Sequence, residues 1–344
     1  MSRIAVVLFN VGGPDRPEAV RPFLRNLFSD PAIIGAPSPV RWALAELISR
    51  MREGVAKRNY AVMGGASPLN VETEWQADAL QASLAAERPG DEVRVFIAMR
   101  YWRPLVEEAA REVAAFAPDE VLLLPLYPQF STTTTASSLA AWRAAYAGPG
   151  RERTVCCYFE DEGLAAAHAD LIVDAWRRAG SPANVRLLFS AHGLPERIAV
   201  RGDPYPWQVE RTCAKVADRL PAGWDWRLCY QSRVGPFKWI GPSIQAEIEQ
   251  AAKDGKGVIV DPIAFVSEHV ETLVELDRDY AELARRVGAQ PFIRAAALGT
   301  HPSFIEGLVR QAQAALAGAR VGAGASRMCR AGFERCGLQQ EAAA

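Results

Sequence analysis

The feature of this sequence that most constrains its fold is a repeated alternation between short apolar segments and longer amphipathic ones. The short segments are rich in aliphatic and β-branched residues and lack the polar alternation of a half-exposed strand. They therefore predict strands that are covered on both faces. The predicted strands are Ile4–Phe9, Val93–Ala98, Val121–Pro125, Thr154–Phe159, Val185–Ser190, Trp226–Gln231, Gly257–Ala264 and Phe292–Ala296.

Segments with helical periodicity lie between these strands. They are Val71–Glu87, Pro104–Phe116, Gly163–Ala179, Pro206–Leu220, Ser243–Lys253 and Ser267–Val287. Alternation of strands and helices gives parallel sheets with right-handed crossovers. Eight strands in about 300 residues predict an α/β protein with two four-stranded, doubly wound domains. The sequence AGPGRER breaks the pattern near residue 150, so we place one domain at 1–150 and the other at 151–301.

Composition excludes several classes of protein. The 344 residues are 49% apolar and 23% charged, with a formal net charge of −1. That balance argues against a general nucleic-acid binder, which needs a basic surface. The N-terminal apolar run is too short for a signal sequence, and no apolar run reaches the ~18 residues that a membrane span needs. We expect a cytoplasmic protein whose six cysteines are reduced.

Chemically rich segments follow the predicted strands. They read FNVGGP, AMRYWRP, PLYPQFSTTTT, SAHGLP, YQSRVGP and PIAFVSEHVET. Ligands of open α/β sheets bind beyond the carboxyl ends of the strands, so we expect these segments to line one cleft between the domains. Gly12 and Gly13 lack the spacing of a dinucleotide fingerprint and indicate a tight turn.

His192 ends a buried strand and enters a turn that contains Gly193 and Pro195. Neutral imidazole accepts protons near pH 7 and is a common metal ligand. A functional and a structural role are about equally expected from local context alone. The other three histidines, at positions 168, 269 and 301, are taken as structural.

Carboxylates recur at i, i+4 and i+8 in the segment PIAFVSEHVETLVELDRDY, at Glu271, Glu275 and Asp279. This spacing places them in one stripe on a helix face. Such a stripe is usually a solvated acidic surface. The alternative is a row that binds or conducts cations, and the position of Glu271 at the mouth of the cleft favours that alternative for Glu271.

Aromatic residues crowd the same strand ends and are suited to a large flat ligand with a few polar anchors. About half are expected to be ordinary packing residues. They are Tyr101, Trp102, Tyr127, Phe130, Trp207, Tyr230 and Trp239. Arg100 and the hydroxyls of Ser131–Thr135 are suited to hold carboxylates at the ligand edge.

The motif LLFSAHGLPERIAVRGDPY, at residues 187–205, resembles the signature of ferrochelatases. The resemblance continues through FNVGGP, GGASPL, RYWRP, YPQFSTTTTASS, QSRVGPFKWIGP and PIAFVSEHVETLVELD, and covers residues 4 to about 310. It implies two Rossmann-like domains around a porphyrin cleft, with a terminal helix at 302–317 that returns to the first domain. The implied reaction is that of a lyase-type chelatase that inserts Fe²⁺ into protoporphyrin IX, the last step of haem biosynthesis.

The resemblance also implies roles for particular residues. His192 and Glu271 match the active-site pair of the family, and Glu275 matches a further acid behind them; all three are candidate ligands of the Fe²⁺ substrate. Other matches fall on the porphyrin pocket. These are Val11, where some relatives carry Met, together with Arg100, Tyr101, Tyr127, Ser131 and Trp239.

Alternative functions remain open at this stage. Class II chelatases for other metals or tetrapyrroles share the architecture, but coproporphyrin III, with four carboxylates, needs more cationic anchors than this cleft offers. A non-catalytic haem or metal carrier is the second alternative, although an acidic row beside a strand-end histidine brings no advantage to a carrier. The sequence does not decide whether the chain forms a homodimer.

The segment Ser38–Val55 is predicted to be an amphipathic helix, and in ferrochelatases the corresponding segment resembles a lip over the porphyrin entrance. Its apolar stripe consists of Val40, Leu44, Leu47, Ile48, Met51 and Val55. Most such helices pack on a core. Because the substrate is lipophilic, we predict reversible, peripheral contact with the inner membrane through this lip.

Some ferrochelatases carry a [2Fe–2S] cluster, and the C-terminal extension at 318–344 holds two cysteines, Cys329 and Cys336. With the Cys156–Cys157 pair in the predicted strand Thr154–Phe159, and with Cys213 and Cys229 set aside, four candidate thiols are present, the usual number for such a cluster. Cys157, Cys329 and Cys336 are favoured as ligands over Cys156. The alternative is a tail with two incidental thiols.

Overall fold

The computed structural model describes residues 1–233, 235, 237–318, 329 and 332–336. These residues form two compact units, one of residues 1–157 with 308–318 and the other of residues 158–307 with 329 and 332–336. Each unit contains one four-stranded sheet in which the strands run parallel. The predicted fold class is confirmed.

The first unit is built around β1 (Arg3–Asn10), which is buried from Ile4 to Asn10 because both faces of the sheet carry helices. The strand order is β2-β1-β3-β4, and the other strands are β2 (Glu92–Met99), β3 (Glu120–Pro125) and β4 (Arg151–Thr154). A 3₁₀ turn, Pro17–Ala19, precedes the first helix. The helices are α1 (Val20–Ser29), α2 (Ser38–Val62), α3 (Leu69–Glu87), α4 (Val106–Phe116) and α5 (Thr135–Ala145).

The second unit repeats this architecture with β5 (Val185–His192) at its centre. The strand order is β6-β5-β7-β8, and the other strands are β6 (Trp226–Gln231), β7 (Gly257–Asp261) and β8 (Phe292–Arg294). Its α-helices are α6 (Glu162–Arg178), α7 (Glu196–Val200), α8 (Tyr205–Ala217), α9 (Ile244–Lys253) and α10 (Ala281–Val287). A π-helix, Glu271–Tyr280, runs directly into α10. The last helix, α11 (Pro302–Leu316), contains the division between the units at residues 307 and 308.

The predicted strand Thr154–Phe159 was wrong in its position. β4 ends at Thr154, and only one further backbone bond, from Val155 to Leu123, continues the pairing. Cys156 and Cys157 are buried but lie beyond the strand. The apolar run therefore marks a segment that is buried by packing but is not hydrogen-bonded into the sheet.

The predicted helix Ser267–Val287 begins later than expected, at Glu271, and its first ten residues form a π-helix. The preceding turn is held by side chains instead: the backbone N–H of His269 donates to the Thr272 hydroxyl, and Glu268 accepts from the backbone of Ala297. The helix predicted at Ser38–Val55 extends to Val62. Much of the predicted extension 318–344, including the segment VGAGAS, lies outside the described residues.

Candidate active site

His192 is the last residue of β5, one of the two inner strands of the second sheet. It pairs in register with Gln231 of β6, and the next backbone N–H, that of Gly193, donates to the carbonyl of Gln231 at 2.8 Å. The Tyr205 hydroxyl donates to the carbonyl of His192 itself at 3.1 Å. These bonds fix the backbone that carries the imidazole, as the turn residues predicted.

The imidazole of His192 contacts the carboxylate of Glu271, with 3.0 Å between Nδ1 and Oε2. Glu271 is the first residue of the π-helix, so the two side chains converge from a strand end and a helix start. His269, taken as structural from the sequence, places its Nε2 3.6 Å from the same carboxylate oxygen. Its position two residues before Glu271 was the signal that sequence reasoning passed over.

The pKa values of His192 and Glu271 are set by burial and by the opposite charge of the partner. Partial burial on its own lowers the pKa of His192, but the charge of Glu271 and the hydrogen bond to it raise that pKa above its ordinary value. Burial raises the pKa of Glu271, while the charge and hydrogen bond of His192, with those of His269, bring it well below its ordinary value. Glu271 is thus an ionised carboxylate that strengthens His192 as a proton acceptor.

Glu275 follows Glu271 in the π-helix, and its carboxylate accepts two hydrogen bonds. Gln231 Nε2 donates to its Oε2 at 3.1 Å, and the Ser232 hydroxyl donates to the same atom at 2.7 Å. Burial and the neighbouring Glu271 charge raise the pKa of Glu275 to about 7. Asp279, the third member of the predicted stripe, is exposed and pairs with Arg278 at 2.7 Å. The stripe therefore has two enclosed acids and one solvated acid.

No group of three or more His, Cys, Asp or Glu side chains in the described part of the chain is arranged to hold a metal ion. The structure brings His192 and Glu271 into contact, and Gln231, which donates to both the main chain of Glu271 and the carboxylate of Glu275, links Glu275 to this pair.

Arg100 and Tyr101 lie in the first unit, just after β2, beside Val11 at the end of β1. The backbone N–H of Tyr101 donates to the carbonyl of Val11 at 3.0 Å. The Arg100 guanidinium pairs with Asp30 at 2.8 Å, and the Tyr101 hydroxyl donates to the same Asp30 carboxylate at 2.8 Å. Ser137 bonds to both Arg100 and Asp30. Asp30 was not singled out from the sequence, because nothing in LFSDPA distinguishes it from a turn residue.

The other predicted pocket residues occupy strand-end loops. Tyr127 follows β3 and is partly buried, and the buried Ser131 has its hydroxyl 3.0 Å from that of Thr133. In the second unit, Trp239 packs on the turn after His192: a Cβ built on Gly193 would lie 3.1 Å from the Trp239 ring. The same Cβ would lie only 2.8 Å from the main-chain carbonyl oxygen of Gln231. Glycine at position 193 is therefore required by this close approach.

Solved structures with the same fold include chelatase-like proteins. SirB from Bacillus subtilis, solved with Fe³⁺, matches with a TM-score of 0.53 and 10% identity over 92% of this chain and 96% of its own. A multi-domain protein of Deinococcus radiodurans with structural similarity to chelatases matches with a TM-score of 0.55 and 16% identity, over 91% of this chain and 55% of that longer chain. The fold is that of chelatases.

Sequence comparison is more specific. The profile of the ferrochelatase family matches residues 3–316. The ferrochelatase of Caulobacter vibrioides is 59% identical over 99% of both chains, and that of Phenylobacterium zucineum is 58% identical over 97% of both. The ferrochelatase of Pelagibacter ubique is 45% identical over 88% of this chain and 89% of its own. The chain belongs to the ferrochelatase family, which confirms the resemblance and the predicted enzyme class, a metal chelatase.

The raised pKa of Glu275 predicts a pH-dependent effect of Glu275→Gln on the substrate-free protein. A carboxyl whose pKa is raised from 4.5 to about 7 contributes stability below pH 4.5 that is lost as the pH rises through 7. The neutral Gln escapes that loss. Between pH 5 and pH 8, urea unfolding should show the variant gaining roughly 1–3 kcal/mol relative to the native protein. Asp279→Asn, at the solvated acid, is the control. A difference in unfolding free energy between Glu275→Gln and the native protein that stays constant from pH 5 to pH 8 would contradict the prediction.

Proposed function

We propose that this chelatase inserts Fe²⁺ into protoporphyrin IX to form protohaem, the last step of haem biosynthesis. The observation that carries the proposal is the 3.0 Å contact between His192 Nδ1 and Glu271 Oε2 at the carboxyl edge of the second sheet. Membership of the ferrochelatase family supports the reaction class.

Metallation must remove two pyrrole N–H protons and replace the water ligands of iron with ring nitrogens. With Nδ1 turned toward Glu271, Nε2 is the nitrogen of His192 that meets the substrate and accepts a pyrrole proton. The product of that step is an imidazolium, which the ionised Glu271 stabilises. Bending of the porphyrin in its pocket exposes the nitrogen lone pairs, at the expense of binding energy.

The Fe²⁺ substrate is assigned to His192 and Glu271, with Glu275 behind them. An imidazole and carboxylates bind Fe²⁺ more weakly than a thiolate cage does, which suits a metal that must be released into the ring. The pKa of Glu275, about 7, also makes this carboxyl an acceptor that exchanges protons near neutral pH.

Porphyrin contacts are assigned to Val11, Arg100, Tyr101, Tyr127, Ser131 and Trp239. The side chain of Val11 has no atom that could ligate iron, so no side-chain ligand is expected from that position. The Arg100 charge is already balanced by Asp30, which is buried. Arg100 therefore adds little as an anchor for further carboxylates, and this favours protoporphyrin, with two carboxylates, over coproporphyrin III, with four.

Replacement of the two active-site residues tests the proposal. His192→Ala should abolish metallation and leave porphyrin binding largely intact, because shape and apolar contact supply most of the affinity. Glu271→Gln keeps the side-chain shape but removes the charge, so it should lower kcat by about 100-fold or more. Anaerobic assays by absorbance of protoporphyrin IX and protohaem measure both. His301→Ala is the histidine control, and near-normal turnover of His192→Ala would exclude the assigned role.

We propose, second, that α2 contacts a membrane surface. Four of the six residues of the predicted apolar stripe are exposed: Val40, Leu47, Met51 and Val55 are 51–73% exposed, and Trp42 is 63% exposed beside them. The other two, Leu44 and Ile48, are partly buried. The buried face of the helix is instead formed by Ala45, Ser49 and Tyr60. No helix in the described ranges is long and apolar enough to cross a membrane, so the proposed contact is peripheral.

Liposome flotation tests this contact. The native protein should float with vesicles that contain anionic lipid, and the double variant Leu47→Asp/Met51→Asp should float markedly less because it loses buried apolar area and gains negative charge. Val200→Asp, a substitution at a valine that is 79% exposed outside α2, is the matched control. Absence of native flotation, with or without anionic lipid, would overturn the proposal.

We propose, third, that Cys157, Cys329 and Cys336, with Cys156 as the less favoured candidate, hold a [2Fe–2S] cluster. Burial of all four thiols supports it, since Cys329 and Cys336 are 4% and 1% exposed although they belong to the extension. Gln208 of α8 donates to Cys329 Sγ at 3.2 Å. No set of three metal-binding side chains is assembled within the described residues. The cysteines that bind the cluster must therefore be identified by experiment. No step of the reaction depends on the cluster.

Protein purified without air should then contain about two irons and two sulfides per chain and should be reddish. Cys329→Ala and Cys336→Ala should each lose this iron and colour, whereas Cys213→Ala, at a core cysteine, should keep both. Colourless, sulfide-free protein that still forms protohaem would exclude the cluster.

A further inference from the structure

The last residue of β6, Gln231, and the residue that follows it, Ser232, hold the carboxylate of Glu275. In a regular strand, successive side chains point to opposite faces of the sheet. Here Gln231 and Ser232 both donate to Glu275 Oε2, at 3.1 Å and 2.7 Å. The alternation is broken at Ser232, whose φ of 63° lies in the left-handed region.

This conformation is unfavourable for serine, because a Cβ crowds the backbone at positive φ and glycine adopts it without that penalty. A strained residue persists only where its surroundings hold it, and such residues cluster at functional sites. At Ser232 the strain has a visible result: it turns a buried hydroxyl toward the π-helix instead of the opposite face of the sheet.

Gln231 is fully buried, and both the oxygen and the nitrogen of its carboxamide are hydrogen-bonded. Oε1 accepts from the Ser190 hydroxyl at 2.7 Å, which fixes the orientation of the amide. Nε2 then donates both to the main-chain carbonyl of Glu271 at 2.8 Å and to the Glu275 carboxylate. One side chain therefore links β5, the end of β6 and the first two acids of the π-helix.

We propose that Gln231 and Ser232 are positioning residues that fix the Glu275 carboxylate behind Glu271 for the handling of ferrous iron. The proposal rests on the proposed function, since Glu275 has a role only if iron is inserted. Both residues act through Glu275 and do not touch the porphyrin. Loss of either donor lets the Glu275 side chain rotate and should impair the use of iron more than the use of porphyrin.

Ser232→Gly separates a positioning role from a structural one. Glycine removes the hydroxyl but accepts the positive φ, so a residue with only a structural role would leave kinetics unchanged and Tm unchanged or higher. For a positioning residue, KM for ferrous iron should rise about tenfold, with KM for protoporphyrin IX unchanged and Tm not lowered. Ser181→Gly is the matched control: Ser181 also has a positive φ, 54°, but is exposed and precedes the opposite end of β5.

A double-mutant cycle shows whether the effect passes through Glu275. In the Glu275→Gln background, Ser232→Gly should have no further effect on KM for iron. Gln231→Glu, of the same size but without N–H donors, should raise KM for iron at least as much as Ser232→Gly does. Unchanged iron kinetics of Ser232→Gly, an equal rise in both KM values, or additive effects in the Glu275→Gln background would each overturn the proposal. Native protein that forms no protohaem would instead overturn the proposed function.

Discussion

The hydrogen bond between His192 and Glu271 is the interaction on which the candidate site depends. It joins the last residue of the central strand β5 to the first residue of the π-helix, and both positions are set by the backbone. A charged pair in a partly buried place adds little net stability, because loss of hydration offsets the attraction between the charges. Its value is chemical: the ionised carboxylate makes the imidazole a stronger proton acceptor.

The pKa values of His192, Glu271 and Glu275 are shifted in different ways. Glu271 has a lowered pKa, His192 has a raised one, and that of Glu275 lies at about 7. Separation of pKa values among adjacent titratable groups is how one site supplies both a fixed charge and groups that exchange protons. The arrangement suits a reaction that must remove two protons and pass a dication at neutral pH.

Much of this could be predicted from the sequence. Seven of the eight strands overlap the predicted ones closely, because both faces of a parallel sheet are buried and the apolar runs report that directly. The motif SAHGLP placed His192 at a strand end for the same reason. The eighth prediction, Thr154–Phe159, failed because an irregular buried segment has the same composition as a buried strand.

Other features left no readable pattern. The spacing of Glu271, Glu275 and Asp279 predicts a helical stripe but does not distinguish a π-helix from an α-helix. The roles of Asp30 and Ser232 depend on contacts or backbone angles set by distant parts of each unit. Such contacts arise from tertiary packing, and local sequence carries no record of them.

Titration of the four histidines by NMR in the substrate-free protein tests the central interaction most directly. The His192 signals, assigned by their loss in His192→Ala, should titrate with a midpoint above the ordinary 6.5 in the native protein. In Glu271→Gln the midpoint should fall, because partial burial then acts on the imidazole without the compensating charge. A native midpoint at or below 6.5 that does not move in Glu271→Gln would contradict the account.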